Sequence, residues 1–289
     1  MNENNLEYLK KTLEGLGFSS KLNDVLENAI RREMPSFSLG IGSLRKPLDT
    51  TDLNAARTDH LAFTLNFNRS KDGDMYFLNN YDVILKKVNN SIAISQTFDL
   101  ARDHRITAVQ AHKLLSGLAF EKEVFLRNKE ENQETAKQPE KTNMWFKLNL
   151  DVTDAFGNHP LRTFRPEYGY DIAEAIGKYP IKGLDKADKL QEAITALKNG
   201  NYLHAEIMIG KKTVPVSIVA NPQMKTIDIY DKNRVELRDE TIFAGKVVKE
   251  KLNATQEMDS PNSQKLQKQQ ETQPWEQDAN QQQTQRRSR

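Results

Sequence analysis

At 289 residues, with 42 Lys+Arg against 40 Asp+Glu, the chain is long enough for one large domain or two small ones and carries a net charge of only +2. That balance supplies no global field to hold nucleic acid or an anionic membrane. The absence of cysteine excludes disulfides, thiolate nucleophiles, zinc–thiolate sites and cysteine-ligated iron–sulfur clusters. No apolar run approaches the ~20 residues of a membrane-spanning helix. The first ten residues are polar and lack the apolar stretch of a signal peptide, so a cytoplasmic protein is expected.

Leu6, Leu9, Leu13 and Leu16 fall on one helical stripe, Gly15 and Gly17 interrupt it, and Ser19 or Ser20 can cap a second helix bearing Leu22, Val25, Leu26, Ala29 and Ile30. Residues 1–35 therefore read as an N-terminal helical hairpin ended by Pro35. A turn-rich stretch runs from Ser36 to Asp59. Beyond it Leu61, Phe63, Leu65 and Phe67 alternate with smaller or polar residues, the period of a half-buried strand. Ser70 to Asp74 is turn chemistry, with Gly73 free to take a positive φ. Further strands are predicted over 75–78, 81–87 and around Ile92 to Phe98. Thr107 then caps a helix through Leu115 that Gly117 stops. Residues 36–127 thus form a first α+β unit, a meander closed by a helix.

Residues 128–142 contain no large apolar side chain and read as a flexible linker or exposed loop. A second α+β unit, 143–252, opens with a strand from Trp145 to Leu150 and its return from Leu161 to Arg165. A short helix from Asp171 follows, then a longer one capped by Asp185 and stopped by Asn199-Gly200. Three strands over 202–209, 213–220 and 225–230 come next, and Ile242 to Leu252 suggest a last helix. Phe63 to Phe67 aligns with Phe146 to Leu150 at the same offset that separates the two helix stops (200 − 117 = 83), which raises an internal duplication. In the last 37 residues, 253–289, eleven are Gln and acids and bases balance, so a disordered tail is predicted.

A search for catalytic chemistry finds little. Gly210-Lys-Lys-Thr lacks the first glycine of a phosphate loop and joins two strands, and no Rossmann fingerprint follows a strand. His60, His104, His112, His159 and His204 form no metal-binding pair and read as partly exposed surface residues. Asp72-Gly73-Asp74 reads as a hairpin turn rather than a calcium loop, and Asp228 as a solvent-facing strand residue. No metal, cofactor or catalytic residue is therefore assigned. The strand aromatics interleave with Arg69, Lys71, Lys86, Lys87, Arg162 and Arg165, a pattern that suits base stacking on a sheet, and Arg286, Arg287 and Arg289 could add phosphate contacts. Alternating aromatics are more commonly core.

Six strings occur in order: Asp74-Met-Tyr-Phe-Leu-Asn-Asn-Tyr-Asp82, Ser95-Gln-Thr-Phe98, Ala108-Val-Gln-Ala-His-Lys-Leu-Leu-Ser-Gly117, Tyr168-Gly-Tyr-Asp171, Tyr179-Pro-Ile-Lys182 and Ala220-Asn-Pro-Gln-Met-Lys-Thr-Ile-Asp-Ile-Tyr-Asp231. Together they resemble an uncharacterised protein family of Bacteroides-type bacteria associated with conjugative transposons and other mobile elements. The resemblance covers most of 1–240, carries no catalytic residues, and implies an accessory protein of a mobile genetic element. The expectation is an α+β protein of antiparallel meanders with packed helices. Its function is read as non-enzymatic interaction or scaffolding through a sheet edge or helix face, with an unknown protein partner. The alternative is a nucleic-acid-binding accessory factor in element maintenance or transfer.

Overall fold

The computed structural model describes residues 2–50, 57–88, 92–126 and 140–243. Two units are distinguished. The larger takes in Met1–Ile207 and Pro215–Glu236; the other takes in Met208–Val214 and the chain from Leu237 onward, where α6 (Asp239–Ile242) is a single turn. The predicted tail 253–289 and most of the stretch 128–142 lie outside the described residues.

Helix α1 (Glu3–Gly15) starts at Asn2, whose side chain accepts from the Asn5 amide, and buries Leu6, Leu9 and Leu13. Its leucine stripe continues through Leu16. Helix α2 (Asn23–Arg31) buries Leu26 and Ile30. Neither Ser19 nor Ser20 caps it. A 3₁₀ turn at Ser20–Leu22 intervenes, and Ser19 holds a left-handed φ of 57°. The turn is set by Phe18, whose ring meets Phe63 and Tyr81 edge-on at 5.2 and 5.6 Å. Burying a large apolar side chain is worth about 1.5–3 kcal/mol, more than the ~1 kcal/mol of a cap.

Strands β1 (Ser36–Arg45), β2 (Asp59–Arg69), β3 (Tyr76–Lys86) and β4 (Ile94–Asp99) form an antiparallel sheet in chain order. Strand β1 lies in the stretch read as turn-rich. Gly40 and Gly42 lower its strand propensity, yet Phe37 and Leu39 still alternate into the core. The two strands predicted over 75–87 are one, accommodated by a register shift at Asn66/Phe67. Gly73, free to take a positive φ, does not do so. The inner face of the sheet packs with α1, α2 and α3 (Ala108–Leu115) in one hydrophobic core. Thr107 caps α3 in a reciprocal capping box with Gln110, and Gly117 follows at φ 87°.

A second antiparallel sheet comprises β5 (Phe120–Leu126), β6 (Glu140–Leu148) and β7 (Leu161–Phe164). The sequence reading divides the chain at 128–142, but β5 and β6 pair residue by residue from Phe120↔Phe146 to Leu126↔Glu140. The strands flanking that stretch thus belong to one sheet, and residues 140–142 are strand. The pairing stacks Phe120 on Phe146 at 5.6 Å, an apolar contact invisible to a composition count. Helix α4 (Ile172–Gly177) is capped by Asp171. Helix α5 (Ala187–Lys198) begins after Lys186 without a side-chain cap, so Asp185 does not serve that role.

Strands β8 (Leu203–Ile209), β9 (Lys212–Asn221) and β10 (Thr226–Tyr230) form the third sheet. The offset noted in the sequence recurs in the elements: β5 and β8, and the C-terminal residues of α3 and α5, are each separated by 83 positions (203 − 120 and 198 − 115). The architecture is α+β.

Candidate functional site

Sheet edges carry unpaired backbone groups, and proteins guard them with charge, proline, brevity or cover. Among the described residues five of the six sheet edges are guarded. Along β4, Asn158 accepts from the Thr97 amide at 2.7 Å and Gln96 accepts from the His159 amide at 2.8 Å. Strand β5 carries Glu121, Lys122 and Glu123, and β7 has four residues between Pro160 and Pro166. Strand β8 is bridged by Ile181 to Ile207, with the Lys182 amide on the Glu206 carbonyl, and β10 is bridged from Tyr230 to Glu236.

Strand β1 differs. It has ten residues, no proline, and no charge before Arg45. Among the described residues no strand lies beyond it. Its hydrogen-bond phase follows from the Arg69 amide, which donates to the Pro35 carbonyl at 2.9 Å. In an antiparallel ladder both groups of one residue point the same way and alternate residues point oppositely. Phe37, Leu39, Ile41 and Ser43 therefore bond to β2. Ser36, Ser38, Gly40, Gly42 and Leu44 direct their N–H and C=O groups to the open side. The two glycines sit in this outward set with exposed faces, and neither holds a positive φ. A Cβ added to either would approach nothing nearer than a carbonyl oxygen at 4.0 Å. The fold does not require glycine there, and each costs roughly 0.5–1 kcal/mol of strand stability.

The outer face beside this edge is polar. Ser38 donates to Asn66, Asn66 donates to Asn80 and Asp82, and Thr97 donates to Asp82, at 2.7–2.9 Å. Beneath the connection after β1 lie three cavities of about 640, 120 and 150 Å³, with Pro47, Leu48 and Asp49 each shared between two of them. In the largest, His204 Nδ1 stands 3.0 Å from Ser217 Oγ. Burial and Arg234 hold that imidazole below its ordinary pKa, against Asp49.

His112 departs from the expectation of a surface histidine. It is buried on α3, with Nε2 3.5 Å from the buried Asp59 carboxylate and without a hydrogen bond of its own. Burial lowers its pKa, Asp59 opposes this, and Arg45 and Lys87 reinforce it. A folded state that resists protonation loses stability as pH falls below the unfolded histidine value of about 6.5, because the unfolded chain takes up the proton first. The urea midpoint is expected to drop between pH 7 and 5, and to drop less in His112→Gln. Equal slopes for the two proteins would contradict this assignment. Asp228 also departs from expectation: it is half-buried and accepts from Asn221 Nδ2 at 2.8 Å.

The proposed nucleic-acid contacts are dispersed. Arg69 and Lys71 lie at the β2–β3 turn, and Arg69 faces Glu33 at 3.8 Å. Lys86 and Lys87 lie at the other end of β3, about 30 Å away at the strand rise. Arg162 lies on β7 of the second sheet, Arg165 just past the end of that strand, and Arg286, Arg287 and Arg289 lie outside the described residues. Phe63, Phe67, Tyr76, Tyr81, Phe98, Trp145 and Phe146 are buried and offer no stacking platform. Among the described residues no three metal-ligating side chains gather, and no helix is long and apolar enough to cross a membrane. Comparisons with protein-family models, curated proteins and solved structures find no match.

Proposed function

We propose that this chain is a non-enzymatic interaction protein, an accessory factor of a mobile genetic element, that receives an extended segment of a partner protein along β1. The supporting observation is the one long edge left unguarded among the described residues, whose outward backbone groups include two glycines that the fold does not need. Glycine inside a strand marks a place where another backbone approaches closely. A partner strand gains affinity from main-chain hydrogen bonds, and the flat outer face leaves room for its side chains. The mobile-element setting rests on the ordered strings that resemble the Bacteroides-type family.

Gly42→Pro removes one outward N–H and no bond to β2, so it blocks the edge while leaving the sheet intact. Gly42→Ala keeps the N–H and is the control. Affinity capture from the native host would identify a partner, and titration of the purified pair would follow. Binding is expected to persist with Gly42→Ala and to weaken at least about tenfold with Gly42→Pro, at unchanged melting temperature for the latter. Equal binding by a folded Gly42→Pro protein would refute the reading.

A further inference from the structure

The 640 Å³ cleft has an internal charge account that does not depend on the β1 edge. Among the described residues three acids and three permanent cations line it, and their formal charges balance. Each acid is already engaged. Asp49 faces Arg234 at 3.5 Å and Glu206 pairs with Lys182 at 3.1 Å. Asp231 Oδ1 accepts from the amides of Asn233 and Val235, both at 2.8 Å, within its own turn. Arg57 and Lys232 have no ion-pair or hydrogen-bond partner among the described residues.

Among the described lining residues the uncommitted charged groups are therefore a guanidinium and an ammonium, and beside them stand His204 and Ser217, hydrogen-bonded to each other at 3.0 Å. Behind them Tyr202 lies parallel to His204, at 6.3 Å and 12°, and carries Arg234 over its ring at 4.8 Å. A carboxylate has two oxygens for such a set, whereas a phosphate ester has three and a larger charge. The volume lies within the range of small-molecule sites, roughly 300–1,000 Å³, and exceeds what a lone inorganic anion needs.

We infer that this cleft binds an organic phosphate of nucleotide size, with Arg57 and Lys232 on the phosphate and Ser217 as a neutral donor. Titration calorimetry of the full chain with adenosine monophosphate, ribose 5-phosphate, pyrophosphate and adenosine tests it. Both esters are expected to bind and to compete with each other, and adenosine is expected to fail. Arg57→Ala and Lys232→Ala should each weaken ester binding about tenfold, whereas Lys71→Ala, a cation at the β2–β3 turn, should not. Since all three positions are exposed, melting temperatures are expected to hold. Binding of pyrophosphate alone, or equal losses in all three variants, would mean diffuse attraction and overturn the assignment, as would the absence of binding by either ester.

Discussion

Replacing Gly200 by alanine is expected to cost about 3 kcal/mol of unfolding free energy, the largest effect of any Gly→Ala change among the described residues. Two terms combine. Gly200 holds φ 68°, a left-handed conformation that costs an L-residue about 1–2 kcal/mol. Its Cβ would lie 2.8 Å from the Ala119 carbonyl oxygen and 3.0 Å from Phe120 Cβ; Phe120 is the first residue of β5 and Ala119 directly precedes it, so neither can move far without disturbing the pairing with β6. The surroundings are fixed further by Lys113, whose ammonium donates to the Asn199 carbonyl and to Asn201 Oδ1. Gly117 supplies the comparison. It has φ 87°, but its Cβ would meet only Leu150 at 3.8 Å, so Gly117→Ala should show the conformational term alone, about 1 kcal/mol. Gly42→Ala has neither term and should be neutral or stabilising. Urea denaturation of the three variants gives the order directly, and a Gly200→Ala loss no larger than that of Gly117→Ala would show that β5 yields.

Local signals in the sequence located most elements, and they failed where a distant partner decides. The leucine stripe of α1, the alternation from Leu61 to Phe67 and the Thr107 cap each depend on neighbours within a few residues, and the structure bears them out. Strand β1 was obscured because its outward residues up to Gly42 are Ser and Gly, which read as turn chemistry until β2 supplies the pairing. His112 is buried beside Asp59, a residue 53 positions earlier, and no spacing rule links them (112 − 59 = 53). The open edge was legible only as a class of feature. Which strand is open becomes visible once the other five edges are seen to be guarded. The cleft could not be read at all, since Asp49, His204 and Arg234 come from separate turns and strands and their pairing decides which charges are left over.

The second large effect is expected at Asn5, a polar residue on the buried side of α1. Its side chain acts as a one-residue strand: Nδ2 donates to the Tyr76 carbonyl at 3.0 Å and Oδ1 accepts from the Tyr76 amide at 2.8 Å. Tyr76 in turn donates its hydroxyl to the Met34 carbonyl at 2.8 Å, so the first residue of β3 is tied to α1 and to the chain beyond α2. Asn5→Ala leaves a buried N–H and a buried C=O without partners, which should cost about 2–4 kcal/mol. Asn5→Leu separates the two possible causes. If burial of the side chain were what mattered, leucine would restore stability; if the paired hydrogen bonds matter, leucine should be as damaging as alanine. Asn5→Asp retains an acceptor for the Tyr76 amide but places a second acceptor against the Tyr76 carbonyl, so it should be no better above the carboxylate's titration range. Hydrogen exchange at the Tyr76 amide is the local readout. Its protection should fall in all but the Asp variant, and a leucine variant as stable as wild type would show that the ladder between α1 and β3 contributes nothing.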